Sequence, residues 1–454
     1  MFACFVRLTP LLLAGLVSLQ TQAAPADGFV LDKVVQVSRH GVRPPTDSAK
    51  LAKVTGRGLP NWSVPDGHLT GHGYAAAVEM GRYRGQVLRA AGLLPNGCPA
   101  PGEVFVRASP LQRTQATASA LLDGLFPGCG LQPSVVQGDK DALFQADKMP
   151  FARLDPQRAE DSVLARMGGS VAGAQARYHE AEQQLRKVIC GTSGACAYAA
   201  EPWQLTQDED GRLAIKGLNT QANLGETFRL EYSEGLPLDQ VAFGHGRSAQ
   251  QVSQLTALTK AKYDFINDSL YIASRGGSQL MNQISLALKQ GTPQAAPDPL
   301  GMPPDARFTL LVAHDTNISY LRTLLGFRWT LGDYLEGNIP PVGSLQFERY
   351  KQVASGRYFL RVAFEAQSLE QIRQLTPLSM SQPPLHADMA GAEGCVDTKR
   401  GRTVSISQCL ATAGSKHRSH RADALPLSIT PRASYPRQNF SEERNMAGSS
   451  LLVH

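Results

Sequence analysis

The chain has 454 residues, 42% of them hydrophobic and 19% charged, with a formal net charge of +6. That length holds two domains or one large domain with an insertion, and the composition excludes a fibrous or wholly disordered protein. The positive charge sits in the tail: residues 399–454 hold nine Lys/Arg against three Asp/Glu, while residues 27–398 hold 35 basic and 36 acidic side chains. No basic face therefore calls for a nucleic-acid partner, and any cationic site must be local.

At the N-terminus, Arg7 precedes the apolar stretch Leu8–Leu19, and Thr21–Ala26 offers small residues for cleavage. This reads as a secretory signal peptide over residues 1–26 and points to a periplasmic or secreted protein. No other apolar run reaches the roughly 18 residues of a membrane span, so none is expected in the mature chain.

Leu31–Val37 then reads as a strand rich in β-branched residues; the apolar run stops at Ser38, and Gly41 and Pro44-Pro45 forbid its continuation. After the loop His68–Gly71, Tyr74–Ala91 carries apolar residues at helical spacing. Glu103–Arg107 is a second short strand, followed by Ala108–Gln112 and by Arg113, which opens the helical stretch Thr114–Leu125. Asp161–Val188, Leu224–Glu234, Ala249–Asp268 and Leu270–Lys289 read as helices, and residues 151–255 contain no convincing buried strand. Phe308–Ala313 is a third apolar strand, ending in His314-Asp315-Thr316-Asn317 before a helix over Ile318–Leu325. Leu345–Tyr350 and Tyr358–Ala366 flank Ala354-Ser355-Gly356 as a β-hairpin. From Gly401 onward the periodicity fades, and residues 399–454 read as a poorly ordered basic tail.

Outside the signal segment lie six cysteines: Cys98, Cys129, Cys190, Cys196, Cys395 and Cys409. An even count in an exported chain suggests disulfides, with several connectivities open and sequence-local pairs preferred. Zinc is the competing reading, but no C-x-x-C pair or neighbouring histidine supports it, so no metal is expected.

The three strands share one design: an apolar run with a polar cluster at its C-terminal end. In open α/β sheets, ligands bind beyond the carboxyl ends of the strands, so Arg39-His40, Arg113 and His314-Asp315 are expected to converge. Taken singly, each has a plainer reading. Arg113 alone would be a solvated helix-start residue, a His-Asp pair after a strand is more often a hydrogen-bonding pair, and Thr316 and Asn317 would cap the next helix. Together they suit an anion. His40 stands between Arg39 and Arg43, two permanent cations that disfavour its own charge, and arginine forks match phosphate oxygens. A neutral imidazole can attack phosphorus, and a carboxylic acid can protonate the departing oxygen.

R-H-G-V-R-P-P at 39–45, A-S-P-L-Q-R-T at 108–114 and H-D-T-N at 314–317 resemble the motifs of the histidine acid phosphatases, the second branch of the histidine phosphatase superfamily, including bacterial periplasmic phytases and glucose-1-phosphatases. The similarity runs from about residue 29 to about residue 395. It implies an α/β fold, a mostly parallel central sheet flanked by helices, with a smaller all-α domain inserted. The catalytic domain is expected over residues 27–150 and 256–398, with a helical cap over 151–255. The resemblance implies His40 as the nucleophile that forms a phosphohistidine and Asp315 as the proton donor. Arg39, Arg43, Arg113, His314 and Thr316 would hold the phosphate, and no cofactor is implied. Glu226 in L-G-E-T-F and Arg275 in A-S-R-G-G-S match positions that line the pocket in phytase-like relatives. It also implies the local disulfides Cys98–Cys129, Cys190–Cys196 and Cys395–Cys409.

Two departures stand out. Ser109, Pro110 and Leu111 occupy a stretch where many relatives carry acidic residues, and Asp47 stands where phytase-like members often carry a lysine. The second exchange weighs against phytate. The expected function is an exported acid phosphatase that hydrolyses small phosphate monoesters of the inositol or sugar type, with an acidic optimum. A phosphotransfer mutase is disfavoured by export. A non-catalytic periplasmic phosphate-ligand binding protein would not need Asp315. A glycan-binding module would call for clustered aromatics, and Trp62, Trp203 and Trp329 are scattered. The sequence carries no signal for oligomeric state.

Overall fold

The computed structural model describes residues 28–191, 196, 198, 201–209, 211–296, 304–389 and the two-residue strand at 404–405. The signal segment, the Cys395–Cys409 pair and the rest of the basic tail lie outside these residues. In chain order the elements begin with β1 (Phe29–Arg39), α1 (Ser48–Thr55), α2 (Gly71–Ala90), β2 (Val104–Ala108) and α3 (Gln112–Leu125). Next come α4 (Pro156–Arg166), α5 (Val171–Arg177), α6 (His179–Cys190), β3 (Gln204–Gln207), β4 (Leu213–Lys216), α7 (Leu218–Ser233) and α8 (Ala249–Leu255). Then come α9 (Ala257–Lys262), a π-helical turn (Tyr263–Asn267), α10 (Leu270–Lys289), β5 (Phe308–Ala313) and α11 (Asp315–Leu325). The chain closes with β6 (Ser344–Gln352), β7 (Tyr358–Ala366), α12 (Leu369–Arg373), β8 (Leu385–Asp388) and β9 (Val404–Ser405).

One sheet has the order β2-β5-β1-β6-β7-β8, with β9 also on β7. The pairs β2·β5 and β5·β1 are parallel; β1·β6 and the pairs beyond it are antiparallel. The three strands singled out from the sequence are thus the parallel set, side by side, and the expected hairpin is β6–β7. Helices cover both faces, which explains why these strands read as near-continuous apolar runs. Side chains alternate along β5: Phe308, Leu310 and Val312 join the core under α2 and α3, whereas Leu311 and Ala313 join the larger core under α10, α11 and the insertion. That larger core runs unbroken from Val35 and Val37 into Val163, Leu185 and Phe228, so α4, α6 and α7 share one hydrophobic core with the sheet.

Three helix boundaries differ from the sequence expectation. The single helix read over Asp161–Val188 is three, because Gly168 and Gly169 take φ of 73° and 93° and break the first. The stretch Ala249–Asp268 is interrupted at Thr256 and again by the π-helical turn. α7 starts at Leu218, ahead of the expected Leu224, because the turn at Gly217 (φ 80°) ends the ribbon there. The described part of residues 156–255 is helical apart from that antiparallel ribbon, β3·β4, two four-residue strands of which Ile215 alone is buried, too short a pattern to leave a buried-strand signature. The disulfides Cys98–Cys129 and Cys190–Cys196 are formed. Among the described residues, no helix is long and apolar enough to cross a membrane.

The α2–α3 crossing depends on glycine. A Cβ on Gly81 would run into the Leu121 carbonyl, and one on Gly124 into the Val78 carbonyl. Both obstacles are backbone, so relief requires the helices to separate. Gly124→Ala is expected to cost about 1–3 kcal/mol. Urea unfolding of wild type and variant checks this, with a lower midpoint at unchanged m-value expected.

Candidate active site

The parallel register sets the site. Arg39 pairs with Ala313 across β1·β5, and the His40 amide donates to the Ala313 carbonyl at 3.1 Å. On the other side of β5, the Ser109 amide donates to the Val312 carbonyl at 3.0 Å. Three chain segments thus leave adjacent strands at one level, bringing Arg39-His40, Ser109 and His314-Asp315 together. The imidazoles of His40 and His314 face each other with centroids 5.7 Å apart.

The turn after β1 is held from several directions. The Gly41 amide donates to Thr117 Oγ1 on α3 at 2.9 Å. A Cβ on Gly73, in the first turn of α2, would sit 2.5 Å from the Val42 carbonyl oxygen. Only glycine lets α2 approach the backbone of residues 41–43 this closely. His40 is buried, with Nδ1 2.9 Å from the Gly41 carbonyl oxygen. A carbonyl can only accept, so Nδ1 carries the hydrogen and Nε2 keeps its lone pair. Burial first, then Arg39, Arg43 and Arg113, hold the His40 pKa well below the ordinary 6.5.

Arg39 is fully buried. Its Nη1 donates to the Ile339 carbonyl at 2.5 Å, and Nη2 lies 2.6 Å from Glu226 Oε1 and 3.3 Å from Asp315 Oδ2. Burial opposes its charge, but the two carboxylates outweigh that and raise its pKa. Arg43 and Arg113 are differently placed. Arg43 Nη1 bonds the Pro44 carbonyl at 2.8 Å, and Arg113 Nη1 reaches the Gly67 carbonyl at 3.4 Å. The buried Nε of each, like that of Arg39, has no hydrogen-bond partner. Burial, then Arg39, lowers Arg43; burial, then Arg43, lowers Arg113 to about 10. Under-satisfied guanidinium donors around a neutral imidazole form a receptor for an anion with several oxygens.

His314 and Asp315 stand at the N-terminus of α11, whose positive end adds to this field. The His314 amide donates to Asn317 Oδ1 at 3.1 Å, and its ring Nε2 shares a 2.9 Å hydrogen bond with Ser109 Oγ. Burial, then Arg113, pushes the His314 pKa down to about 3. Asp315 Oδ1 accepts from the Thr316 amide at 3.1 Å, and Oδ2 accepts from the Tyr263 hydroxyl at 2.6 Å. Burial favours its neutral form, but the Arg39 guanidinium and the Tyr263 hydrogen bond outweigh it and hold the resting carboxyl well below 3.8.

His40, Arg39, Arg43, Arg113, His314, Asp315 and, beside it, Thr316 are thus brought together. Glu226 joins them as counter-ion: it bridges Arg39 and Arg229. Arg275 does not join. It lies on α10 over the Tyr271 ring and lines a separate cavity of about 130 Å³ with Asp147, Arg212 and Tyr320. Asp47 is exposed, and its carboxylate caps α1 by accepting from the Lys50 amide at 2.9 Å. Sequence reasoning missed Tyr263 and Lys262, whose charge is felt by Asp315 and Glu226. The available signal was a lysine and a tyrosine in A-K-Y, within a helix otherwise read as amphipathic.

Residues 30–365 match the family model described as the histidine phosphatase superfamily, branch 2. The chain is 31% identical over 402 residues to phytase AppA of Escherichia coli strain K12, covering 84% of this chain and 92% of that protein. It is 30% identical over 384 residues to a glucose-1-phosphatase of Salmonella typhimurium, covering 81% and 88%. The crystal structure of the Klebsiella sp. ASR1 phytase superposes with a TM-score of 0.78 at 41% identity, covering 86% of this chain and 96% of that one. The Hafnia alvei phytase in complex with myo-inositol hexakis sulphate gives 0.77 at 30% identity, covering 87% and 98%.

The Glu226 bridge has a stability consequence with a definite sign. Burial opposes its charge, but Arg229 and Arg39 outweigh that and hold the carboxyl below 4.5. A carboxyl lowered in the folded state contributes stability that is complete above its unfolded value and lost as pH falls through its folded one. Glu226→Gln is therefore expected to cost about 3 kcal/mol at neutral pH, because it leaves two buried arginines facing a neutral amide. The gap to wild type should narrow as pH falls below 4.5. Urea unfolding across that range measures both.

Proposed function

The chain belongs to branch 2 of the histidine phosphatase superfamily and is a hydrolase of the histidine acid phosphatase type, and from that premise we propose a two-step mechanism on small phosphate monoesters of sugars or inositols. The observation that carries it is a buried imidazole kept neutral among three arginines, with its Nε2 lone pair free. An ordinary histidine is largely protonated, and so non-nucleophilic, at pH 5; burial and the three arginines favour the neutral, nucleophilic form of His40.

In the first step His40 Nε2 attacks phosphorus and the ester P–O bond breaks. Asp315 gives its proton to the departing alcohol oxygen, leaving a phosphohistidine and a carboxylate. In the second, Asp315 takes a proton from water as its oxygen attacks phosphorus. The P–N bond breaks, His40 regains its lone pair and inorganic phosphate departs. Arg39, Arg43, Arg113 and His314 hold the phosphoryl oxygens through both steps, and Thr316 lies beside them. The resting Asp315 is too acidic to carry a proton at moderately acidic pH. A bound phosphoryl group changes that, because its negative charge offsets the arginines and raises the Asp315 pKa. Proton donation is thus coupled to substrate binding, and activity is confined to the acidic side.

The relatives named for phytase and glucose-1-phosphatase activity bracket the substrate class. The exposed, helix-capping Asp47 disfavours a heavily charged inositol phosphate such as phytate relative to a monophosphate. The N-terminal apolar segment and the two disulfides support export to the periplasm or beyond.

The test is phosphate release from phytate, glucose 1-phosphate and p-nitrophenyl phosphate between about pH 3 and about pH 8, with EDTA present. Release peaking at acidic pH is expected, and His40→Ala should lower it by at least about 10³-fold. Release equal in wild type and His40→Ala would reject the phosphohistidine route.

A further inference from the structure

The acid of the proposed first step is held by an element outside the three strand ends. At the π-helical turn Tyr263–Asn267 the helix widens, a geometry often found at functional sites. This turn is fastened along one face of α11 at four-residue intervals. Tyr263 Oη donates to Asp315 Oδ2 at 2.6 Å, Asn267 Nδ2 to Ser319 Oγ at 2.7 Å, and Thr323 Oγ1 to Asp268 Oδ1 at 2.9 Å. Arg322 adds a 2.6 Å ion pair to Asp268. Tyr263 is therefore a fixed donor rather than a loose side chain. Its oxygen target, Oδ2, is also the one 3.3 Å from Arg39, whereas Oδ1 accepts only the Thr316 amide at 3.1 Å.

We propose that Tyr263 is the positioning residue for the leaving-group acid: its hydroxyl occupies Asp315 Oδ2 and leaves Oδ1 as the oxygen that carries and delivers the proton. The proposal rests on the phosphatase reading above. A proton on Oδ2 would have to displace the Tyr263 hydrogen bond and face the Arg39 guanidinium, so the two fixed cationic or donor groups direct it to the other oxygen. The groups facing Asp315 are Arg39, His40 and Arg43 from β1 and its turn, Arg113 from α3, Glu226 from α7, Lys262 from α9, and its neighbour His314. Tyr263 is the neutral donor in that set that bonds the carboxylate directly. Removing its hydroxyl changes no charge, and the phosphate-holding arginines keep their contacts.

The consequences follow from the chemistry of the leaving group. Hydrolysis of glucose 6-phosphate expels a primary alkoxide and needs the acid; p-nitrophenyl phosphate expels a stable phenolate and needs it little. Tyr263→Phe should lower kcat on glucose 6-phosphate about tenfold, with a several-fold smaller loss on p-nitrophenyl phosphate and a KM within about twofold of wild type on both. A carboxylate that has lost a donor is more basic, and Asp315 carries its proton only with substrate bound, so the alkaline limb of kcat should move up by about half a pH unit or more. Tyr263→3-fluorotyrosine keeps the ring and strengthens the donor, so the same limb should move down. This second variant carries the test should the first fail to fold, as judged by thermal unfolding. An equal loss on both esters, or a limb that stays put in the folded variants, would overturn the positioning role while leaving the phosphatase reading intact. A wild-type protein that releases no phosphate from either ester would overturn both.

Discussion

A fully buried guanidinium, Arg39, is the constraint on which the rest of the site depends. Its desolvation is tolerable because Glu226 and Asp315 lie within 2.6 and 3.3 Å, and because the Ile339 carbonyl accepts a further bond. Those partners come from α7, α11 and the segment before β6, so satisfying one side chain ties α7 to the sheet. It also fixes the charge balance. Arg39 is largely neutralised inside the protein by its carboxylate partners, whereas no carboxylate is paired with Arg43 or Arg113 among the described residues, although the buried Nε of all three lacks a hydrogen-bond partner. In the proposed reaction the net attraction for an anion therefore comes chiefly from Arg43 and Arg113.

The same cations explain the two histidines. Imidazoles beside carboxylates usually gain protons; here burial with Arg39, Arg43 and Arg113 lowers His40, and burial with Arg113 and Arg43 lowers His314. That permits nucleophilic chemistry at pH values where free histidine is cationic, which makes acidic operation compatible with a histidine nucleophile. The cost falls on Asp315, which is held ionised at rest, so its proposed role as proton donor depends on the ligand's own charge.

Geometry supplies what charge alone cannot. The parallel order β2-β5-β1 brings three strand ends to one level, and the glycines at 41 and 73 let α2 press against the turn that presents His40. Close backbone approach at Gly81 and Gly124 sets α3 against α2, and α3 in turn supplies Thr117 to Gly41 and Arg113 to the anion site. Rigid elements on all sides hold donors at fixed positions before a ligand arrives, which is the source of electrostatic preorganisation.

Much of this was legible in the sequence, for a physical reason. Strand ends announce themselves where apolar alternation stops, and polar clusters such as R-H-G-V-R and H-D-T-N are costly at those points unless they bind something. The parallel strands, the β6–β7 hairpin, α10 and the convergence of His40, Arg113 and Asp315 were readable from local pattern alone. The ribbon β3·β4 was not, because two four-residue strands with a single buried side chain leave no apolar signature, and the break after α4 was hidden in two glycines that a periodicity window averages away. Side-chain partnerships lay further out of reach. That Glu226 is a counter-ion to Arg39, that Arg275 lines a different cavity, and that Tyr263 reaches Asp315 across 52 residues of sequence are decisions of tertiary packing. The sequence by itself determined which chemistry the strand ends could perform. Only the tertiary structure decided which charges face one another, since interaction energies depend on distances of a few ångströms that no local pattern encodes.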